Sequence, residues 1–215
     1  MTPVTRILCL LIGYLCGLIQ TGYFYSRKKD FDLRASGSGN TGMTNAMRVM
    51  GKKAGVIVFA GDVGKCALAM FLVWLLFRGV PTADVKLLEI YAAFGTILGH
   101  DFPFYLKFKG GKGMSSTAGM FLAMPKLIPF GIAFFLIPVL LTRYVSLGSI
   151  IVSAALPFIA YGGYRLGWFY AGGENLTEML VLFTLIAVLN ICRHHANIGR
   201  LLHGNENKLG KGKKD

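Results

Sequence analysis

Three glycines surround a lysine in the stretch FKGGKGMSST at residues 108–117. Glycine has no Cβ, so the backbone N–H groups of such a loop can approach an oxyanion closely. An apolar stretch begins at Met114, and the positive N-terminal end of a helix starting there would favour the same anion. The loop is therefore a candidate phosphate site, formed by Gly110, Gly111, Lys112 and Gly113. The alternative is a flexible turn whose lysine only marks a cytoplasmic loop.

A second polar stretch, GSGNTGMTNAMR, covers residues 37–48. It combines short hydroxyl and amide side chains with a guanidinium: Ser38, Asn40, Thr44, Asn45 and Arg48. Such side chains can cap helices and close a glycine-rich loop without any ligand. They can also converge on an oxyanion, for which the guanidinium fork of arginine has a matching geometry. The sequence leaves both interpretations open.

Two further polar stretches lie in the second half of the chain. TRYVSLGS at 142–149 contains Ser146 and Ser149, and HHANIGRLLHGNENK covers 194–208. If the last apolar helix continues by one turn, His194 and Asn197 share a face and Arg200 follows three residues later. Glu206 is expected to pair with a nearby Lys or Arg and to hold these basic loops in place.

The elements that position these stretches are membrane helices. The chain has 215 residues, of which 54% are hydrophobic and 15% are charged, and its mean hydropathy is +0.56. These values are too apolar for a soluble domain of this size and indicate an integral membrane protein. Seven apolar segments are predicted, at 4–25, 54–77, 85–106, 114–124, 127–142, 145–166 and 177–192.

The positive charges decide how the segments cross the bilayer. Cytoplasmic loops collect Lys and Arg, and the richest clusters are at 27–53 and 193–214. Both clusters lie inside only if the proline-containing stretch 114–142 is two helices instead of one. The segment 114–124 is then about 16 Å long, too short to span alone, and is predicted to be a half-depth helix. We therefore predict an all-α, polytopic membrane helical bundle of one domain (1–215), with the N-terminus out and the C-terminus in.

Ionisable residues also occur inside the apolar segments. Asp62 and Lys65 lie at i and i+3 in the second segment. Ionisable groups in a membrane pair with each other or face a polar interior. The two residues either neutralise each other or orient site residues from behind. His100 and Asp101 precede several aromatic residues and are predicted to lie in an interfacial belt.

Several functional classes are excluded by the motifs. A Walker A loop would need glycine at Leu106 and Ser or Thr at Gly113, so ATP hydrolysis is not supported. No cluster of His, Asp or Glu has metal-ligand spacing, and no cofactor is expected. The net charge of +13 is spread over the ends of apolar segments, which is unlike a nucleic-acid-binding surface. The four cysteines fall in apolar runs and are predicted to be buried thiols. The H-x-x-x-x-D pair of thioester-dependent glycerolipid acyltransferases is absent.

The four stretches together resemble those of the bacterial acyl-phosphate-dependent glycerol-3-phosphate acyltransferases, which are integral membrane proteins. The resemblance rests on GSGNTGMTNAMRVMGKKAG, GHDFPFYLKFKGGKG, RYVSLGS and HHANIGRLLHGNE, in this order and spacing, and it covers essentially the whole chain. Small departures from the family pattern occur at Met43, at 114–116 and at Ala196.

The resemblance implies transfer of an acyl group from acyl-phosphate to the 1-hydroxyl of glycerol-3-phosphate, which yields lysophosphatidate and phosphate. Lys112 and Arg48, with the N–H groups of the glycine loop, would neutralise phosphate groups. Ser38, Asn197 and one of Ser146 or Ser149 would orient the carbonyl and the glycerol. Either His194 or a phosphate oxygen of the substrate would accept the proton. Substrate contacts would also come from Asn40, Thr44, Asn45, Gly110, Gly111, Gly113 and Arg200, with structural support from Glu206, Asp62 and Lys65.

The expected location is the bacterial inner membrane, with the site facing the cytoplasm. The expected partners are the two substrates and membrane lipid, without nucleic acid or an obligate protein partner. An alternative function is an organic-anion transporter or channel with a basic inward-facing pocket. Transporters commonly have a repeated second half and polar groups at mid-depth, whereas the polar stretches here lie on one predicted face.

Overall fold

The chain folds into helices joined by short turns. The computed structural model describes residues 1–81, 84–168 and 175–209, and no strand occurs among them. The helices are α1 (Pro3–Gly17), α2 (Thr21–Arg27), α3 (Met43–Met50), α4 (Lys52–Phe77), α5 (Val85–Asp101), α6 (Met114–Ala123), α7 (Ile128–Thr142), α8 (Val145–Arg165), α9 (Leu176–Arg193) and α10 (His195–Leu202). The predicted all-α class is confirmed.

Five stretches of helix in the described residues are long and apolar enough to cross a bilayer. They are Pro3–Arg27, Lys52–Phe77, Pro125–Thr142, Val145–Arg165 and Leu176–Arg193. α5 has 17 residues and α6 has 10, so α6 is about 15 Å long and too short to cross alone. The predicted division of 114–142 is confirmed, because a short 3₁₀ turn at Pro125–Leu127 lies between α6 and α7. The orientation of the termini stays a prediction.

The polypeptide forms two compact units, Met1–Ala123 and Met124–Asp215. The first contains α1 to α6 and carries the 37–48 and 108–117 stretches. The second contains α7 to α10 and carries the 142–149 and 194–208 stretches. The prediction that the whole chain acts as one domain stays a prediction.

The first predicted segment, 4–25, is not one continuous helix. α1 ends at Gly17 and α2 begins at Thr21, and three residues between them are not helical. The break leaves the carbonyl groups at the end of α1 without partners inside the helix. Buried polar side chains bind the carbonyl of Gly17, at the end of α1, and that of Ile19, within the break, as described below.

The third segment is shorter than predicted. α5 ends at Asp101, whereas the hydropathy pattern predicted a helix to residue 106. Pro103 explains the difference, because the residue before a proline is disfavoured in helical conformation. Phe102 accordingly has φ −130° and ψ 59°. The chain then turns toward the glycine loop instead of continuing along the helix axis.

α1 and α5 pack through glycines. Gly13 and Gly17 on α1 and Gly95 and Gly99 on α5 are each spaced four residues apart. A Cβ on any of them would collide with a backbone carbonyl of the opposite helix. This small-xxx-small arrangement lets two membrane helices approach closely. It brings the broken end of α1 against the end of α5, beside the glycine loop.

In the second unit, the chain after α10 returns to the turn between α7 and α8. Arg143 has a left-handed conformation (φ 63°), and its carbonyl accepts a hydrogen bond from the N–H of Leu209 at 2.7 Å. The Lys208 ammonium lies 5.4 Å from the centre of the Tyr144 ring. The tail residues Lys211, Lys213 and Lys214, which contributed to the predicted basic cluster, lie outside the described residues. Cys192 is exposed, which corrects the prediction that every cysteine is buried.

Candidate active site

The Asn45 side chain binds the backbone of the GSGNTG loop (residues 37–42). This side chain is 2% exposed. Its Oδ1 accepts from the N–H of Ser38 at 2.8 Å, and its Nδ2 donates to carbonyls of Leu33 (3.2 Å), Ser36 (3.0 Å) and Asn40 (2.9 Å). The predicted substrate contact of Asn45 is therefore corrected: its carboxamide binds the loop backbone and shapes the loop. Ser38, Thr44 and Arg48 are exposed.

Asn40 joins the GSGNTG loop to the glycine loop. Its Oδ1 accepts from the N–H of Gly42 at 2.8 Å, a local turn typical of asparagine. Its Nδ2 lies 3.5 Å from the carbonyl oxygen of Gly110, at the outer limit of hydrogen bonding. Two of the four predicted stretches thus lie side by side in the first unit.

The first two glycines of the GGKG loop bind the end of α5. The N–H of Gly110 donates to the Asp101 carbonyl at 3.2 Å, and the N–H of Gly111 donates to the His100 carbonyl at 2.9 Å. A Cβ at Gly110 would meet the His100 carbonyl, and one at Gly111 would meet His100 Nε2. Glycine is thus required for close packing. The prediction that these two N–H groups bind phosphate is corrected, because both already donate to the protein.

The remaining part of the loop matches an anion site. Gly113 has φ +76°, a left-handed conformation that favours glycine, and its carbonyl accepts the N–H of Thr117 at 2.8 Å. That bond is the first of α6, so the glycine loop leads directly into the positive N-terminal end of this helix. Lys112 is half-buried and directly precedes Gly113. A cation and a helix N-terminus therefore occur together.

A buried cluster of ionisable groups lies behind the glycine loop. The Lys65 ammonium is 3.0 Å from Asp62 Oδ1, 2.8 Å from His100 Nδ1, 3.2 Å from the Gly17 carbonyl and 2.7 Å from that of Ile19. An ammonium only donates, so His100 Nδ1 accepts and its proton resides on Nε2, the atom nearest Gly111. Asp62 and Lys65 therefore pair, as the first alternative predicts, and Lys65 also binds a histidine that packs against the glycine loop.

Three aromatic residues of the predicted interfacial belt are exposed, whereas its two ionisable residues are buried. His100 and Asp101 are 2% and 0% exposed, so the prediction of an interfacial position for them is wrong. Phe104 and Phe108 are each 59% exposed, as expected of interfacial side chains. The hydroxyl of Tyr105 donates to the Leu18 carbonyl at 2.5 Å, which anchors this turn to the break after α1.

In the second unit, His194 lies between α9 and α10. It is 4% exposed, and its Nδ1 lies 2.7 Å from the Asn190 carbonyl. A carbonyl only accepts, so Nδ1 carries the proton. The neutral imidazole then has its lone pair on Nε2, the arrangement that a general base requires. α9 ends at Arg193, so His194 and Asn197 do not continue one helix as predicted, but both are buried.

Glu206 binds Asn197 and Arg200 together. Its Oε1 accepts from Asn197 Nδ2 at 3.1 Å, and its Oε2 accepts from Arg200 Nε at 2.8 Å. The glutamate side chain is only 5% exposed. The predicted salt bridge of Glu206 is present, and it fixes which side of the Asn197 carboxamide faces the glutamate.

The two serines of the 142–149 stretch differ in the hydrogen bonds of their hydroxyl groups. Ser149 Oγ donates to the Val145 carbonyl at 3.0 Å within its own helix. Ser146 is 6% exposed, and within the part of the chain that the structure describes its hydroxyl has no hydrogen-bond partner. A buried hydroxyl without a partner is costly unless something else binds it. Of the two serines, Ser146 is therefore the candidate for substrate contact.

Known proteins are similar to this chain in both sequence and fold. The model of the glycerol-3-phosphate acyltransferase family matches residues 7–204. A glycerol-3-phosphate acyltransferase of Syntrophotalea carbinolica is 42% identical over 202 residues, which cover 93% of this chain and 95% of that protein. The crystal structure of PlsY, an integral membrane glycerol 3-phosphate acyltransferase, in its glycerol 3-phosphate form has a TM-score of 0.79 and 32% identity, and the match covers 95% of this chain and 96% of that one.

A second crystal structure of PlsY, in its lysophosphatidic acid form, has a TM-score of 0.77 and 31% identity, with 95% of each chain covered. The family model extends over both compact units, over the first three polar stretches and over the fourth as far as residue 204. The chain belongs to the glycerol-3-phosphate acyltransferase family.

Proposed function

We propose that this acyltransferase moves a fatty acyl group from an acyl-phosphate to the 1-hydroxyl of glycerol-3-phosphate, and releases lysophosphatidate and inorganic phosphate. The relatives named above act on glycerol-3-phosphate, and one solved relative has a lysophosphatidic acid form. The choice of an acyl-phosphate donor is our own step. It rests on the resemblance of the four polar stretches and on the missing H-x-x-x-x-D pair of thioester-dependent enzymes.

The observation that carries the proposal is the pairing of two loops in the first unit. Asn40 reaches the Gly110 carbonyl, which brings the GSGNTG loop beside Lys112 and the N-terminus of α6. Both substrates carry a phosphate group, and phosphate is also the leaving group. A lysine next to a helix N-terminus stabilises such an anion, and Arg48 adds a second cation to the same unit.

The reaction needs no covalent enzyme intermediate. The glycerol hydroxyl oxygen attacks the acyl carbonyl carbon, the carbon–oxygen bond to phosphate breaks, and the phosphate departs with the bonding electrons. Lys112 and Arg48 compensate the charge that develops on the departing phosphate. Binding both substrates in register supplies much of the remaining rate enhancement. Ser38, Thr44, Asn197 and Arg200 are proposed to orient the substrates.

His194 is proposed to take the proton of the glycerol hydroxyl on Nε2. Its Nδ1–H donates to the Asn190 carbonyl, which holds the ring in the tautomer that can accept a proton. Ser146 is proposed to donate its hydroxyl proton to a substrate oxygen. Both proposals require the two units to form one site at the membrane surface, as a single catalytic domain. We propose that this surface faces the cytoplasm of a bacterial cell.

The decisive experiment supplies purified protein in detergent with radiolabelled glycerol-3-phosphate and one of two donors, an acyl-phosphate or an acyl-CoA of equal chain length. Labelled lysophosphatidate should form with the acyl-phosphate, at a rate at least tenfold higher than with acyl-CoA. Formation with acyl-CoA alone would overturn the donor assignment. Failure with both donors would overturn the proposed reaction. Because detergent solution has no membrane gradient, product formed there cannot result from transport.

A further inference from the structure

Gln20 lies in the break between α1 and α2, where an uninterrupted apolar segment was predicted. Its side chain is 0% exposed. A carboxamide in such a place is costly unless its donors and its acceptor are all satisfied, since no water from the bilayer can replace a missing partner. The partners of Gln20 are therefore informative about its function.

The carboxamide binds three separate segments of the first unit. Its Nε2 lies 2.8 Å from the His100 carbonyl and 3.3 Å from those of Gly17 and Gly99. Its Oε1 accepts the hydroxyl proton of Thr41 at 3.1 Å. The end of α1, the end of α5 and the GSGNTG loop thus meet at one side chain.

The His100 carbonyl has a second role. It accepts from Gln20 Nε2 and also from the N–H of Gly111, at 2.9 Å, in the loop that carries Lys112. On the other side, Thr41 is adjacent to Asn40, whose amide reaches the Gly110 carbonyl. Hydrogen bonds and two peptide bonds therefore form a closed ring. It runs from Gln20 to Thr41 and its neighbour Asn40, then to Gly110 and its neighbour Gly111, and returns to Gln20 through the His100 carbonyl.

We propose that Gln20 is a positioning residue that sets the separation of the GSGNTG loop from Lys112, and so sets the affinity for glycerol-3-phosphate. This inference rests on the proposed function, in which the two loops bind one substrate. Gln20 itself touches no substrate. It acts by holding Thr41 on one side and the His100 carbonyl on the other.

The carboxamide is chemically specific for this position. Gln20→Glu would place a carboxylate against three carbonyl oxygens, which repel it. Methionine would fill the volume but would leave the Thr41 hydroxyl and the carbonyls without their partners. Either change at Gln20 could prevent folding. The informative variant is therefore at Thr41, because it removes only the connection between Gln20 and the GSGNTG loop.

The test compares three variants, Thr41→Val, Thr41→Ser and Thr96→Val. Thr96 is the matched control: it is 0% exposed, and its hydroxyl donates to the Ala92 carbonyl in its own helix at 2.8 Å. Thr41→Val should raise the KM for glycerol-3-phosphate by roughly tenfold, as for one lost hydrogen bond, with a smaller change in kcat. Thr41→Ser retains the hydroxyl and should restore the KM to within about threefold of wild type. Thr96→Val should leave the KM unchanged.

Hydrogen–deuterium exchange supplies a readout that does not depend on catalysis. Thr41→Val should speed exchange in peptides that cover 37–45 and 108–113, and Thr96→Val should not. Equal KM values in the two valine variants, or exchange that is unchanged in both loops, would overturn the positioning role. If the wild-type protein transfers no acyl group from either donor, the proposed function fails, and exchange still decides the role of Gln20.

Discussion

His194 Nδ1 lies 2.7 Å from the Asn190 carbonyl oxygen, so a backbone group of α9 selects the tautomer of the histidine that follows this helix. The proton on Nδ1 leaves Nε2 with the lone pair. His194→Gln retains a hydrogen-bonding side chain but cannot accept a proton. We expect kcat to fall by roughly 10²- to 10⁴-fold, the usual contribution of general base catalysis, in a steady-state acyl transfer assay. A variant that keeps most of its rate would instead indicate that a substrate phosphate oxygen accepts the proton.

Lys112→Met should abolish most turnover and leave the fold intact. The substitution keeps a long, flexible side chain and removes only the cation beside the N-terminus of α6. Loss of one electrostatic group that stabilises a developing charge typically costs about 10²- to 10³-fold in rate. The measurement is kcat with acyl-phosphate, accompanied by the thermal midpoint and the gel-filtration profile. Near-normal activity in a folded protein would refute the assignment.

Ser146 and Ser149 allow a matched comparison on one helix. Ser146→Ala should reduce kcat/KM by roughly 10-fold, because a hydroxyl that binds substrate is lost. Ser149→Ala should change it by less than about threefold, because its hydroxyl donates within α8. Initial rates at several substrate concentrations distinguish the two. A larger effect at Ser149 than at Ser146 would exclude the proposed contact.

Asp32 and Arg34 predict a pH dependence of stability. Side-chain hydrogen bonds from Arg34 Nε (3.1 Å) and Nη2 (2.9 Å) hold the pKa of the Asp32 carboxyl below its ordinary value, and the Arg34 N–H adds to this effect. A lowered pKa in the folded state stabilises the protein above the unfolded-state pKa, and this contribution is lost as the pH falls through the folded-state pKa. Both side chains are about one-third exposed, so the effect should not exceed about 1 kcal/mol.

Asp32→Asn should therefore lower the thermal midpoint slightly at pH 7. The difference from wild type should begin to shrink as the pH falls below about 4, the ordinary pKa of an aspartate, and should vanish below the lowered pKa of the folded state. Thermal unfolding of both proteins across this pH range provides the measurement. A difference that does not depend on pH would show that the ion pair is not its source.

The membrane orientation can be tested with single cysteines at exposed positions. Cys192 is exposed, so the background should carry Cys192→Ser. Position 28 precedes the GSGNTG loop, and position 207 lies beyond α10. Both Lys28→Cys and Asn207→Cys should react with an impermeant maleimide only after the cells are permeabilised. Gly79→Cys, after α4, should react in intact cells. If Lys28→Cys and Asn207→Cys were labelled from opposite sides, the polar stretches of the two units would lie on opposite faces of the membrane. The proposed site could then not form.

Hydropathy and proline positions predicted much of the fold. The division of 114–142 into two helices was predicted from the requirement that both basic clusters lie inside, and the structure has a break at Pro125–Leu127. The same reasoning missed the break at 18–20, because one polar residue scarcely changes the mean hydropathy of a long segment. Gln20 itself was the available signal, as a buried amide in a membrane segment needs partners.

The roles of individual site residues were harder to predict than their positions. The spacing of Gly110 and Gly111 suggested an anion site, yet their N–H groups bind the end of α5. The Asn45 carboxamide likewise binds the loop backbone, where a substrate contact was predicted. Which partner a polar group selects depends on contacts between residues far apart in sequence, and a local motif does not contain that information. Asp62 and Lys65 illustrate the same point, because His100 is 35 residues from Lys65.

The interrupted first segment has a consequence for biosynthesis. Gln20 and its His100 partner are separated by 80 residues, so the first segment enters the membrane long before α5 has been synthesised. Until then its carboxamide can reach the Gly17 carbonyl of its own segment, but its partners on α5 and at Thr41 are missing. We therefore expect the first segment to become fully stable in the bilayer only when α5 packs against it. Assembly of this unit is thus coupled to the order of translation.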